Sequence, residues 1–400
     1  MIKILILLIL YSSLFSTVAL AHSNIETQKA NYLIASTALS YRSDEVALEN
    51  QAYLIPGALL GGEALPFNQG AGLDEGQLAM GYATADNYYV SAVVNAHEHN
   101  GSHEIELEKF WLTTRYLQTD VADFWLDIGK LSTQTTKSAS WHTSQDRFAD
   151  PSLISDVFWG RHFNDSGIRS ELKSDYAQLG IELWNGDAWP ASKNEGAYSI
   201  YIKTQPTWLG KNGELGIWGI KSEASNRSDL RYNQGHNHGT NITNIASEYT
   251  FTGNTEMIGS YIFASLTLAD ILFLSELEWI QSDSTGVLSI NSQSAVYNNQ
   301  YSGIRFLMGA QYKSHQFFIQ HEELTLKNHF YGDITDNFII GASLLNNGFE
   351  PNRTIYAWQW KITSDLNIKT EFINLQHEKN DQENKYVVVS LVWNHAFEVF

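Results

Sequence analysis

The segment Tyr176–Trp184, with the sequence YAQLGIELW, alternates between apolar residues and polar or small residues. In an extended chain Leu179 and Ile181 lie on one side, and Gly180 and Glu182 lie on the other. A period of two residues with one apolar face predicts a half-buried β-strand. In a soluble protein the apolar face would contact a second sheet. In a membrane barrel it would contact lipid, and the polar face would line the lumen.

The same alternation recurs along most of the chain after residue 76. The clearest further segments are ADFWLDIGKL from Ala122, SGIRFLMGAQY from Ser302 and TIYAWQWKI from Thr354. Residues 32–42, YLIASTALSYR, are a candidate first strand. Most segments approach the about 9–11 residues that a tilted strand needs to cross a bilayer. We therefore predict an all-β fold, a transmembrane antiparallel β-barrel of about 16 strands, within a range of 16 to 18.

The connections between these segments are of two kinds. Short turns are predicted at Thr84, Lys173, Thr252, Leu268 and Thr363. Long polar loops are predicted over residues 95–103, 132–165, 185–195, 223–243, 282–299 and 377–384. Outer-membrane barrels alternate short periplasmic turns with long outer loops. Between about residues 252 and 350 the alternation breaks, and the sequence does not assign those connections to a side.

The composition excludes several classes of protein. There are 20 Tyr, 19 Phe and 12 Trp but no cysteine, which excludes disulfides, zinc–thiolate sites and a cysteine nucleophile. After residue 21 no apolar run approaches the roughly 20 residues of a membrane helix. Lys and Arg number 25 and Asp and Glu number 44, so the net charge is −19. An acidic chain disfavours nucleic-acid partners and attracts cations.

The amino-terminal residues 1–21 have the pattern of a secretory signal peptide. Lys3 precedes an apolar run, and Ala19-Leu20-Ala21 has the small-x-small pattern of a cleavage site. The alternative is an uncleaved anchor helix. Residues 22–75 would form an amino-terminal segment with a candidate first strand and a Gly-rich loop, and residues 76–400 would form the barrel.

The carboxyl terminus ends in Phe400, the sorting mark by which barrel-assembly machinery recognises outer-membrane barrels. Phe400 is out of register with the apolar face of its strand, which predicts a slip or bulge near His395. The other expected partners are outer-membrane lipid and lipopolysaccharide, small solutes or cations, and further copies of the same chain.

Several motifs between residues 76 and 190 carry a resemblance. They are IELEKFWL from Ile105, DIGKL from Asp127, a loop rich in Trp, His and Asp that ends DPSL, and GRHFNDSGIR from Gly160. This region resembles a family of proteobacterial outer-membrane porin-like barrels, some of whose members are named zinc-regulated or TonB-dependent outer-membrane receptors. The resemblance implies a barrel that transports solutes. The chain is too short for a plug domain plus a barrel of about 22 strands.

The lumen of such a barrel would carry charged side chains. Glu104, Glu106 and Glu108 alternate with apolar residues, so we expect three carboxylates in one lumen row. The loop 132–165 is long and mixed in charge, as a porin constriction requires. The alternatives are a solvated strand face and a solvent-exposed outer loop. The candidate lining and constriction residues are Glu104, Glu106, Glu108, Asp146, Arg147, Asp150, Arg161, Glu182 and Arg305.

Two histidine-rich stretches are candidate metal ligands. His97, His99 and His103 lie in NAHEHNGSHEIELE, and His236 and His238 repeat the H-x-H spacing. An H-x-H pair in an extended chain points to one side and can chelate Zn²⁺ or a similar ion. The alternative is a polar loop that binds Zn²⁺ only weakly. No cofactor is otherwise expected.

No set of residues suggests catalysis, so we predict that the protein is not an enzyme. The favoured function is a porin-like channel for small hydrophilic solutes with a preference for cations. The alternatives are a zinc-linked uptake channel or receptor with His-rich outer loops, and a surface or secreted β-protein that transports nothing.

Overall fold

The computed structural model describes residues 31–44, 55–61, 67, 69–84, 87–99, 102–210, 213–228, 249–332, 336–342, 344–345, 348–376 and 384–397. These residues form sixteen antiparallel strands, each paired with its neighbours in sequence. The first strand pairs with the last and closes the barrel. The predicted fold class and the favoured strand number are confirmed. In the part of the chain that is described, no helix is long and apolar enough to span a membrane.

The strands are β1 (Tyr32–Arg42), β2 (Gly70–Ala83), β3 (Tyr88–His99), β4 (Ser102–Gln118), β5 (Asp123–Ser132), β6 (Asn164–Lys173), β7 (Ala177–Trp184), β8 (Ala197–Thr204), β9 (Glu214–Ser228), β10 (Thr250–Leu268), β11 (Ile271–Ile290), β12 (Gln293–Tyr312), β13 (His315–Tyr331), β14 (Asn352–Lys361), β15 (Leu366–Gln376) and β16 (Asn384–Phe397). Two short helices, α1 (Leu153–Trp159) and α2 (Asp336–Gly341), lie in connections between strands.

The barrel wall is apolar outside and polar inside, as β7 shows. Ile181 is 50% exposed on the outer surface, whereas the neighbouring Glu182 is completely buried in the lumen. Because side chains alternate across a strand, an apolar outer face requires that polar residues point inward. The outer face includes Ile200, Ile217, Ile258, Phe306, Met308, Tyr356, Phe372 and Leu391. An apolar band of this kind matches the lipid-facing surface of membrane barrels.

The connections alternate around the barrel and define two ends. Short turns join β2 to β3, β4 to β5, β6 to β7, β10 to β11, β12 to β13 and β14 to β15. We call this the turn end, and we call the opposite end, which carries the long connections after β1, β5, β7, β9 and β13, the loop end. The long connection 332–351 after β13 lies in the region where the sequence did not assign the connections.

Three predicted connections are wrong. Thr252 lies inside β10 and not in a turn, and residues 282–299 form the hairpin of β11 and β12 and not a loop. β11 and β12 have 20 residues each and are therefore about 66 Å long. This length exceeds the roughly 30 Å thickness of the bilayer hydrocarbon. Their outer halves lie beyond the lipid, so polar residues there do not indicate a loop. Within the predicted loop 95–103, residues 95–99 and 102–103 are likewise strand, and His99 pairs with Ser102 across β3 and β4.

The first and last strands of the barrel differ in two respects from the predictions made from the sequence. The register of β1 and β16 runs without a break from Arg42↔Val388 to Leu33↔Phe397. The predicted bulge near His395 is therefore absent from this pairing, and Phe400 lies outside the described residues. β1 and the first residues of β2 fall within residues 22–75, so part of that segment belongs to the barrel wall. Residues 1–21 are also outside the described part.

Candidate functional site in the barrel lumen

The connection between β5 and β6, residues 133–163, folds into the barrel, and we call it the lumen loop. Its helix α1 begins where the Ser152 hydroxyl accepts a hydrogen bond of 2.9 Å from the Ser155 amide, a typical N-cap. It ends at Gly160, whose φ of 55° is left-handed and is adopted readily by glycine. All seven residues of α1 are buried. The sequence predicted a long functional loop here, and the structure places it inside the lumen.

Aromatic contacts hold the lumen loop against two regions of the wall. Trp159 packs against Trp218 of β9 with ring centroids 5.0 Å apart. Phe163 contacts Trp184 of β7 edge to face at 5.2 Å. On the opposite side Phe148 meets Phe318 of β13 at 6.1 Å. Such pairs contribute about 0.5–1.5 kcal/mol beyond the burial of their area. The apolar residues of the loop therefore seat it in a lumen that is otherwise lined with polar groups.

Wall carboxylates accept hydrogen bonds from the backbone and hydroxyl groups of the lumen loop. Glu182 of β7 accepts from the Thr133 hydroxyl at 2.6 Å and from the Gln134 amide at 2.8 Å. Glu371 of β15 accepts from the Ala149 amide at 2.6 Å. These bonds are charge-assisted and are stronger than neutral ones. They join the loop to strands far apart on the barrel circumference.

A second set of carboxylates surrounds Arg305 of β12. Its guanidinium pairs with Glu278 at 2.9 Å and also contacts Glu276. The lumen loop completes the cluster, because Ser138 donates to Glu278 at 2.7 Å and Arg147 pairs with Glu276 at 3.2 Å. Two of the predicted lining residues, Arg147 and Arg305, are thus brought together through one shared carboxylate, that of Glu276.

Asp150 of the lumen loop is held by the opposite side of the wall. Arg42 of β1 pairs with Asp150 at 2.8 Å and with Asp74 of β2 at the same distance. Tyr386 of β16 donates a hydrogen bond of 2.9 Å to Asp150. The predicted residue Arg161 pairs instead within the loop, with Asp156 at 2.8 Å.

His142 of the lumen loop is buried between two carboxylates of the wall. Its Nδ1 lies 3.4 Å from Glu75 of β2, and its Nε2 lies 3.3 Å from Glu108 of β4. Burial by itself would lower the pKa of His142, but the two carboxylates outweigh burial and raise the pKa to about 10. The imidazole is therefore charged at neutral pH. His142 also packs on His162, with ring centroids 4.8 Å apart.

Asp146 lies beside this cluster. Its carboxylate accepts a hydrogen bond of 2.7 Å from the His142 amide. Burial raises the pKa of Asp146, against the lowering effects of that hydrogen bond and of the positive charges of His142 and Lys369. Lys369 of β15 donates to the Thr143 carbonyl at 2.6 Å. The His142 cluster is therefore bounded by wall groups on two sides of the barrel.

The predicted row of three glutamates on β4 is only partly realised. Glu108 is buried in the lumen, where Asn164 donates to it at 3.0 Å. Glu106 is half-buried, and Glu104 pairs in register with His97 of β3. A register shift between Val93 and Val94 interrupts the alternation. Glu108 and the next residue of the chain are consequently both buried.

The side chains of the candidate metal ligands lie outside what the structure describes. His97, His99 and His103 lie in the paired ends of β3 and β4 and not in a long loop. His236 and His238 lie outside the described residues. Among the residues that the structure describes, no group of three or more His, Asp or Glu side chains is arranged to hold a metal ion.

Two small cavities lie beside the lumen loop. One cavity of about 40 Å³ lies between the loop and β2, β4 and β5, next to Gln77, Lys109 and Ser132. Another of about 50 Å³ lies next to Arg147, Glu276 and Arg305. Cavities of this size hold a few water molecules. Passage of a larger solute at these points requires that the loop move.

Several residues that hold the lumen loop were not predicted from the sequence. Arg42 is the last residue of β1. Ser36, Ser40 and Arg42 lie on one side of that strand, and this alternation is a signal that could have indicated an inward face. Glu322 and Arg353 pair across β13 and β14 at 2.8 Å and gave no local signal. Pairing between strands depends on register, which the sequence did not reveal.

Comparisons with known proteins agree on the fold. No protein-family model and no curated protein matches the sequence. Solved structures that resemble the chain include a loop L8 deletion mutant of OmpT, an outer membrane protein of Vibrio cholerae, with a TM-score of 0.53, 10% identity, and coverage of 91% of this chain and 98% of that one. The outer membrane channel DcaP of Acinetobacter baumannii has a TM-score of 0.53, 8% identity, and coverage of 91% and 96%.

Salmonella typhi OmpF, solved in complex with daunomycin, also has a TM-score of 0.53, with 8% identity and coverage of 91% of this chain and 97% of that one. The chain therefore has the fold of outer-membrane porins. The comparisons give no support to the zinc-regulated or TonB-dependent receptor names found in the family that the sequence resembles.

Proposed function

We propose that this protein is an outer-membrane porin-like channel for the diffusion of small hydrophilic solutes, with a preference for cations. The observation that carries the proposal is the lumen loop, a long connection folded into a closed barrel and held there by charged groups. An internal loop with opposed charges restricts the size of solutes and creates a field across the pore. One of the similar structures is described as an outer membrane channel, which supports the same function.

The charge of the lumen supports a preference for cations. Among the described residues, twelve Asp and Glu side chains are buried, against eight Lys and Arg side chains. Most of the carboxylates pair with basic groups or with the lumen loop, so the excess is smaller than the net charge of the chain suggests. A lumen with excess negative charge raises the local concentration of cations.

Planar-bilayer recording of the refolded protein tests the proposal. We expect discrete channel events of small conductance, and a reversal potential in a KCl gradient that indicates preference for K⁺ over Cl⁻. Membrane fractionation of the native host and heat-modifiable mobility on a gel test the location and the folded barrel. Absence of channel events from the folded barrel contradicts the channel function, and a reversal potential of the opposite sign contradicts the cation preference.

A zinc-linked uptake channel is the second candidate function, supported by the register of β3 and β4. That pairing brings His97 next to Glu104, and Glu98 next to His103, at the end of one hairpin. Imidazole and carboxylate are both Zn²⁺ ligands. Calorimetric titration with Zn²⁺ of the parent and of the His97→Ala/His99→Ala variant separates the candidates. Loss of binding supports this function, and equal binding contradicts it.

A further inference from the structure

Arg227, near the end of β9, differs from the other buried arginines of the barrel. Its side chain is 7% exposed. Arg42, Arg161, Arg169, Arg305 and Arg353 are also buried, and each of them pairs with at least one carboxylate. Among the described residues, no carboxylate pairs with Arg227. A buried guanidinium without a counter-charge is costly, because desolvation is not offset by an ion pair.

The surroundings of Arg227 hold its guanidinium in one place. It lies over the ring of Trp189 at 3.9 Å and over the ring of Phe251 at 4.7 Å. It also donates to the carbonyl of Pro190. A guanidinium has five N–H donors, so this one acceptor leaves most of its capacity unused. The aromatic rings fix the plane of the fork but supply no acceptor.

A cavity of about 20 Å³ opens beside Arg227 at the loop end of the lumen. It lies between the wall strands β9 to β12 and three covering segments, namely residues 55–61, the β7–β8 connection and helix α1 of the lumen loop, which contributes Val157 and Phe158. Its polar lining comes from Thr255, Ser282, Ser284, Asn299 and Tyr301. None of these side chains carries a negative charge at neutral pH. The space is enough for one or two water-sized groups, which is the size of a carboxylate head.

We propose that Arg227 and this cavity form a binding site for the carboxylate group of a small organic solute. A planar carboxylate matches the guanidinium fork with two parallel hydrogen bonds. The Ser282 hydroxyl and the second N–H of the Asn299 amide can donate to the same oxygens, since the first N–H of that amide donates to Tyr297.

This inference goes beyond the proposed cation-preferring channel, because it assigns one local anion-binding site at the loop end, and it rests on the proposed function for transport but not for binding. Binding is measured on the refolded protein in detergent by saturation-transfer NMR. The probe is sodium benzoate, and benzamide is its neutral isostere. We expect the parent to bind benzoate and to bind benzamide at least about tenfold more weakly, because the amide has no charge.

The variant Arg227→Gln should weaken benzoate binding by about tenfold or more, since a charged hydrogen-bond partner is lost. Arg227→Lys keeps the charge without the planar fork and should give an intermediate loss. The matched control is Lys221→Gln, which removes a positive charge from the same strand at an exposed pair with Glu256. Benzoate binding should be unchanged in that variant. Heat-modifiable mobility shows that each variant is folded.

Equal benzoate binding in folded Arg227→Gln and parent protein would overturn the assignment, as would equal affinity for benzamide or equal competition by chloride. If Arg227→Gln does not fold, Arg227→Lys and the benzamide comparison decide the question. A barrel that binds benzoate but shows no channel events contradicts only the proposed function. A conducting barrel that does not distinguish benzoate from benzamide contradicts only the carboxylate site.

Discussion

Raising the pH from 7 to 10 should loosen the lumen loop, because His142 loses the charge that pairs with Glu75 and Glu108. The pKa of His142 rises from an ordinary 6.5 to about 10 when the loop is in place. A raised pKa stabilises the seated loop fully below pH 6.5, and the stabilisation is lost as the pH rises through 10. By linkage, the contribution of the His142 charge to the stability of the seated loop falls from about 4 kcal/mol at pH 7 to about 0.4 kcal/mol at pH 10.

Thiol labelling can measure this loosening, since the chain has no cysteine of its own. Gln145 is half-buried on the lumen loop, three residues after His142, so Gln145→Cys places one reporter thiol there. The reactivity of any thiol also changes with pH, so each rate is compared with that of the Gln145→Cys/His142→Gln double variant. Neutral glutamine removes the titrating charge and leaves the other groups of the cluster in place.

At pH 7 the reporter in the Gln145→Cys protein should label at least about a hundredfold more slowly than the same reporter in the double variant, and the two rates should converge by pH 10. The other charged groups that face His142, namely Lys109, Asp146 and His162, are common to both proteins and cancel in the ratio. His395→Gln is the control, because His395 pairs with Asp365 at the turn end, 2.7 Å away. A ratio that stays constant between pH 7 and pH 10 would refute the reasoning.

Two further predictions concern the stability of the barrel. Arg305→Gln should destabilise the barrel by roughly 3–5 kcal/mol, because it leaves Glu276 and Glu278 buried without their cation. Urea unfolding in lipid vesicles measures this, and a loss no greater than that of the exposed-pair variant Lys221→Gln would contradict it. Gly129→Ala should abolish the heat-modifiable barrel, because φ is +145° and a Cβ would overlap the Phe110 carbonyl oxygen. Gly219→Ala, whose Cβ would be 3.7 Å from the nearest atom, should fold normally, and equal behaviour of the two variants would count against the steric argument.

The wall of the barrel could be predicted from the sequence because the bilayer imposes a strict period. In the segment Tyr176–Trp184 every outward residue is apolar and Glu182 is inward, as the alternation indicated. The period fails where strands extend past the lipid. In the outer halves of β11 and β12 both faces meet water, so the sequence loses its apolar face and resembles a loop.

The interior could be predicted only in part. The length and mixed charge of residues 132–165 marked a functional loop, and Glu108, Glu182 and Arg305 were placed in the lumen by alternation. The partners of these residues were not predictable, because ion pairs such as Arg42 with Asp150 join residues 108 positions apart. The unpaired charge of Arg227 could not be predicted either. No sequence motif shows that, among the described residues, no carboxylate pairs with this arginine.

The carboxylates of the lumen have two physical roles that depend on the lumen loop. While the loop is seated, Glu182, Glu278 and Glu371 accept hydrogen bonds from its amide and hydroxyl groups, which solvate these carboxylates in place of water. If the loop moves aside to let a solute pass, the same carboxylates face water with fewer partners. If the barrel conducts as proposed with the loop displaced, we expect these exposed carboxylates to strengthen its preference for cations. In the proposed channel, the reversal potential would report the charge of the open lumen. The His142 titration would report the free energy required to displace the lumen loop.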